Sequence, residues 1–227
     1  AQGYDLNYQV RRHGLSLSDL TTGTFYVGAK ADNMPTTFIS VANGNWKDGA
    51  TWNLGTKPTD ASMVQVSSGH TVVIDTNTAN MKFLAVNGRL LVMDSTLTVD
   101  SAITNYGTFS MSKGTVNLGP TGGGKSPFIN KDSLIVSGGT LNINGSILME
   151  DDNSFTQTAG NINIDGNANG VLANSVPAGT IISAMYYTVN NVTGGTVTIV
   201  DPHAGTGRTW LTERMSGSFS TGHTLIF

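Results

Sequence analysis

One frame recurs four times in this chain and limits what it can fold into. An apolar triplet is followed, seven positions later, by a second. Leu90-Leu91-Val92 precedes Leu97-Thr98-Val99, and Phe109-Ser110-Met111 precedes Val116-Asn117-Leu118. Leu134-Ile135-Val136 precedes Leu141-Asn142-Ile143, and Phe155-Thr156-Gln157 precedes Ile162-Asn163-Ile164. A partial fifth copy holds Val197-Thr198-Ile199. The offset within a copy is fixed while the distance between copies varies, the behaviour of a solenoid whose coils keep their shape as their loops change.

Each triplet alternates, so Leu97 and Val99 face one way and Thr98 the other. Gly- and Ser-rich corners separate the triplets, as in Ser137-Gly138-Gly139-Thr140. A third short apolar run follows each pair: Ala102-Ile103, Phe128-Ile129, Ile147-Leu148 and Val171-Leu172. Three strands per copy, with Leu97, Val116, Leu141 and Ile162 spaced by 19, 25 and 21 residues, predict an all-β, right-handed parallel β-helix of about twenty residues per coil. An antiparallel sandwich would not hold the seven-residue frame. No segment carries apolar residues at helical spacing, so almost no helix is expected.

The frame occupies residues 83–227. Residues 1–42 form an irregular capping lead-in, with Phe25-Tyr26-Val27 and Phe38-Ile39-Ser40-Val41 as short strands, and residues 43–82 hold a dense motif. The opening Ala1-Gln2-Gly3 suits a mature end from which a signal peptide has been cleaved, and the chain stops in mid-pattern at Phe227, so a longer native protein is expected.

Composition narrows the class. Of 227 residues only 12% are charged, 28 are Gly and none is Cys, and the formal net charge is -3. Disulfides, thiolate metal sites and cysteine nucleophiles are excluded. No basic field steers the chain to nucleic acid, and no apolar run approaches the roughly 20 residues of a membrane span.

Residues 44–75 carry a resemblance. Gly44, Trp46, Thr51-Trp52, Gly55, Pro58, Asp60, Val64, Val66, Gly69-His70-Thr71-Val72 and Ile74-Asp75 fall in an order similar to the G8-like module of bacterial surface proteins, with one extra residue between Asp60 and Val64. The resemblance implies a module heading a β-helix on large secreted proteins, often of Bacteroidota and exported by type IX secretion. It implies an extracellular address and carbohydrate contact but supplies no reaction. Asp94-Ser95-Thr96, Asp100-Ser101-Ala102 and Asp132-Ser133-Leu134 are similar to the O-glycosylation pattern of such exports, making Ser95, Ser101 and Ser133 candidates.

Trp46 and Trp52 have two readings: covering the open end of an apolar core, or stacking on a sugar. His70 recurs as His223 within a Gly-His-Thr sequence, and both read as turn-plus-strand units. Gly119–Ser126 matches a phosphate-binding loop pattern, but Pro127-Phe128-Ile129 follows in place of the required helix. The loop is expected to be an insertion between coils that takes no nucleotide. Glu150, Asp151 and Asp152 form an acidic corner, a weak candidate for calcium.

The outward rank of the second triplets reads Thr98, Asn117, Asn142, Asn163, Thr198. It is either a ladder satisfying its own hydrogen bonds or a flat array that binds glycans. Ice-binding arrays are also built from Thr, but this rank mixes Thr with Asn and shows no paired Thr-x-Thr file. The expectation is a non-enzymatic extracellular β-helix module of a cell-surface adhesin or structural surface protein, needing no cofactor and contacting glycans or other surface proteins. The alternatives are a polysaccharide-binding or polysaccharide-degrading domain and a filament or secretion-cargo subunit.

Overall fold

The structure is a computed structural model that describes residues 35–75, 78–119, 126–149, 154–165 and 189–200. Short strand backbones are also described at Gly3–Tyr4, Val10–Arg11, Ile182–Ala184, Trp210–Thr212, Ser216–Phe219 and His223–Ile226. The chain divides into two compact units, Ala1–Met34 and Pro35–Phe227. In the first, Gly3–Tyr4 pairs antiparallel with Val10–Arg11. The expected strand at Phe25–Val27 and the third-run segment Val171-Leu172 lie outside the described residues.

The second unit is a parallel β-solenoid with three faces. The first face stacks the leading triplets: Gly44–Asn45, Thr71–Ile74, Arg89–Val92, Thr108–Met111, Ser133–Val136, Ser154–Gln157, Val189–Val192 and Ser216–Phe219. The second face stacks the trailing triplets, with Leu97, Val116, Leu141, Ile162 and Val197 in one register. The third face stacks the third runs, with Phe38, Val64, Leu84, Ile103, Phe128 and Ile147 in line. In three coils the chain turns the corner between second and third faces without leaving the strand, as in Thr96–Asn105 and Thr140–Met149, so these two faces form one bent 12-stranded sheet.

The registers extend the frame beyond the copies visible as triplets. Val72 and Ala79 make an earlier copy, disguised by the small Ala79, and Asn190 with Val197 completes the partial one. The offset is constant because the corner between first and second faces has one geometry. Gly114, Gly139, Gly160 and Gly195 stack there with φ of 77°, 78°, 80° and 87°. A Cβ on Gly139 would lie 2.6 Å from the Gly114 carbonyl oxygen, so both the left-handed backbone and the stacking distance select glycine. The corner also keeps its inter-coil hydrogen bonds: Thr115 N–H to Ser95 O, Thr140 N–H to Gly114 O and Asn161 N–H to Gly139 O, at 2.8 to 3.0 Å. One more residue would break this ladder and turn the next strand inside out.

Insertions fall elsewhere. Residues 119–125, 166–181 and 201–209 all connect the second face to the third. The phosphate-loop look-alike is one of them. Ser126 opens the strand Ser126–Asn130, and its buried hydroxyl donates to Asp100 O, so no helix begins there.

Inward files hold the core. Leu90, Val92, Leu97, Val99, Phe109, Met111, Val116, Leu134, Val136 and Leu141 are each at most 1% exposed. Full burial of one such side chain contributes about 1.5–3 kcal/mol. Among the described residues the only helical segment is one 3-10 turn, Gly49–Thr51, and no helix is long and apolar enough to cross a membrane.

Candidate functional site: the second face

The outward rank anticipated from the triplets is a physical row. Asn80, Thr98, Asn117, Asn142, Asn163 and Thr198 are register partners coil after coil, and all are half-buried. Asn142 Nδ2 donates to Asn117 Oδ1 at 2.9 Å, and Asn163 Nδ2 donates to Asn142 Oδ1 at 2.9 Å. These bonds bridge sequence separations of 25 and 21 residues, so the ladder keeps its step across an insertion. An amide carries two N–H donors and two carbonyl lone pairs, so a laddered Asn keeps one of each for a partner above the sheet. Self-satisfaction and an available polar face therefore coexist.

A second rank runs beside it. Thr96, Thr115, Thr140, Asn161, Thr196 and Thr224 are in register two positions ahead of the first row. Residues such as Thr115 and Thr140 read as corner residues in sequence, because they follow Gly and Ser. They are in fact the first residues of their strands, since the left-handed glycine finishes the corner immediately before them. Coil by coil the face reads Thr96-x-Thr98, Thr115-x-Asn117, Thr140-x-Asn142, Asn161-x-Asn163 and Thr196-x-Thr198, so a second polar rank stands beside the first, and no Thr-x-Thr file runs through successive coils. Neither rank contains a charged residue.

The other two outer surfaces differ. The first face carries Arg89, Leu91 and Ile135 among hydroxyl residues. The third presents Phe83, Ala85, Pro127, Ile129 and Leu148, all half-buried.

Trp46 and Trp52 are covered, with 5% and 2% of their surface exposed. Their rings meet edge-on at 4.9 Å, Phe38 meets Trp52 at 6.5 Å, and Trp52 Nε1 donates to Trp46 O at 2.9 Å. The segment carrying Trp52 lies along the outer edge of the strand Thr37–Ile39: Val41 N–H bonds Thr51 O, Asn53 N–H bonds Ile39 O, and Ile39 N–H bonds the Asn53 side chain. This occupies the polar groups of an edge strand that would otherwise be open. The tryptophans close the end of the core, and the sugar-stacking reading fails because neither ring face is free.

His70 is part of the same closure. Its Nδ1 lies 2.9 Å from Ser40 Oγ and 3.0 Å from Ser40 O, while Ser67 N–H donates to Ser40 Oγ and Ser67 Oγ to Ser40 O. Ser40 is 2% exposed, so its hydroxyl pins a turn and meets no substrate. His70 immediately precedes a strand of the first face and His223 opens one of the second, so the shared Gly-His-Thr falls on different faces.

The glycosylation candidates separate. Ser95 is 8% exposed and its hydroxyl donates to Ile74 O at 3.1 Å, so the folded chain does not offer it. Ser133 is half-buried and accepts from Ser154 Oγ at 3.0 Å, and Ser101 is half-buried beside the corner of the second and third faces. Glu150, Asp151 and Asp152 lie outside the described residues. Among the described residues no three His, Asp or Glu side chains gather as a metal site would need.

One polar pair was not singled out by the frame. Asn105 and Asn130, fully buried, stack at the corner of the third and first faces. Asn105 Nδ2 donates to Asn130 Oδ1 at 2.7 Å and to Ser133 O at 2.8 Å, and its carbonyl accepts from Gly107 N–H at 3.3 Å. Asn130 Nδ2 donates to Asp132 O and Ser154 O at 3.0 and 3.3 Å. The available signal was positional, an Asn ending the third run four residues before Phe109 and again before Leu134.

With this geometry in place, the family model of the G8 domain matches residues 51–148. The match starts within the tryptophan motif and runs on through the coils to Leu148 in the strand Thr140–Met149. Comparison with curated proteins and with solved structures returned no match.

Proposed function

We propose that the chain is a non-enzymatic extracellular β-helix module of a cell-surface adhesin or structural surface protein. Contact is made through the second face. The observation that carries this reading is the pair of uncharged ranks held in register across successive coils, including across an insertion. The likeness to the G8 domain over residues 51–148 supports an exported setting. Repetition makes such contact multivalent: individually weak rungs act together because binding one holds the next at high effective concentration.

The test is a glycan array probed with the full chain, with and without calcium, alongside an assay for polysaccharide cleavage. Binding without turnover, weakened by Asn142→Lys, supports the reading. Release of unsaturated or shortened products would replace it with a lyase or hydrolase.

A further inference from the structure

One buried amide inside the wall is left half-paired. On the first face Val92, Met111, Val136, Gln157 and Val192 are register partners, each at most 1% exposed, and only Gln157 is polar. Its Nε2 donates to Gly160 O at 3.3 Å and to Thr196 O at 3.2 Å, the long end of hydrogen-bond geometry. Its Oε1 is buried, and among the described residues no group donates to it. Asn105 and Asn130 are just as buried, yet both ends of each amide are engaged. A Cβ on Gly195 would lie 2.6 Å from Gln157 Nε2, so the backbone of the next coil closes directly over the glutamine.

The neighbouring files change at the same level. Leu90, Phe109, Leu134 and Phe155 stack in register, and the next two positions of that file are Asn190 and Gly217. On the second face Asn163 Nδ2 bonds Asn142 Oδ1, but the rung beyond Asn163 is Thr198, which has no amide to carry the ladder on. These files all lose continuity between coil 154–165 and coil 189–200. The stability of a solenoid is close to a sum over neighbouring coils, so one poor junction is not averaged away by good ones. A carbonyl taken out of water without a partner destabilises that junction, and a register position held by Gly adds no apolar side chain to offset it.

We infer that this junction is a yield point of the solenoid. Coil 189–200 opens as one unit with the strands stacked on it, Ser216–Phe219 and His223–Ile226, while the coils up to Asp165 stay folded. Opening unpairs one edge of Ser154–Gln157 and of Asn161–Asp165.

The test is hydrogen exchange of the full chain in low urea, read by mass spectrometry segment by segment. In the unsubstituted chain residues 189–200 exchange about tenfold faster or more than residues 134–148. Gln157→Met keeps a long side chain and removes the unpaired carbonyl, and Gly160 O retains the Thr196 N–H. It slows exchange of 189–200 by about tenfold and leaves 97–111 unchanged. Gln157→Glu puts a carboxylate at the same buried place, and it speeds exchange of 189–200 by about tenfold or more without moving 97–111. Equal protection of 189–200 and 134–148 overturns the inference, and that comparison needs no variant. Faster exchange of 189–200 in Gln157→Met also overturns it, because the glutamine would then be an anchor. So does a change shared by all coils in either variant, because the solenoid would then open as a whole.

Discussion

Two asparagine ladders run along this solenoid on opposite sides of its wall. Asn105 and Asn130 point inward and are fully buried, with amide groups bonded to one another and to backbone carbonyls at a corner. Asn117, Asn142 and Asn163 point outward, half-buried, and bond mainly along their own row. The same side chain makes the same type of Nδ2–Oδ1 bond in both. What differs is the alternative to that bond. Outside, water replaces a lost partner; inside, nothing does, so the unpaired group bears its full desolvation penalty. The inner ladder therefore belongs to stability, while the outer one is free to serve recognition.

Breaking the inner ladder should have the largest effect. Asn130→Ala removes the acceptor for Asn105 Nδ2 and a donor to Asp132 O and Ser154 O, and unpaired buried polar groups cost about 1–3 kcal/mol each. A loss of about 3 kcal/mol or more is expected in urea denaturation, and a loss under 1 kcal/mol would erase the distinction between the ladders. Next comes Gly139→Ala at the corner that keeps both rows in step. Forcing a side chain into the left-handed backbone there costs about 1–3 kcal/mol, read from the same denaturation midpoint.

Asn142→Ala on the outer row should cost about 1 kcal/mol, since water takes over the exposed half of the amide's bonds. A double-mutant cycle of Asn117 and Asn142 should give a coupling near the low end of about 0.5–3 kcal/mol; no coupling would mean that the row is not a ladder in solution. The smallest effect belongs to Asn142→Thr. Thr already occupies that rank at Thr98 and Thr198, so thermal unfolding should move by the equivalent of about 0.5 kcal/mol or less.

The inward residues of both triplets were legible because apolar side chains at alternate positions have one sensible destination. Trp46 and Trp52 were legible as closing the core or stacking on a sugar, and only their burial chose closure. The second rank of the second face, Thr96, Thr115, Thr140, Asn161 and Thr196, was not legible: Thr115 and Thr140 follow turn residues and suit a corner as well as a strand. Only the left-handed backbone of Gly114 and Gly139 shows where the corner stops. Asn105 and Asn130 were not legible either, because Asn before Tyr106-Gly107 or Lys131-Asp132 looks like an ordinary solvated turn. Their burial depends on the neighbouring coil that supplies the carbonyls they bond.

The sequence by itself determined a parallel solenoid with three strands per coil. Period-two alternation within a fixed seven-residue offset admits only strands joined by a corner of constant length. The stacking of coils decided the rest. Whether a given Asn or Thr lies inside the wall, on it, or in the corner depends on partners about 20 residues away, and hydrogen bonds between coils choose among those places. The paired array on the second face is a property of that stacking, written one rung at a time along the chain and assembled only when the coils lie in register.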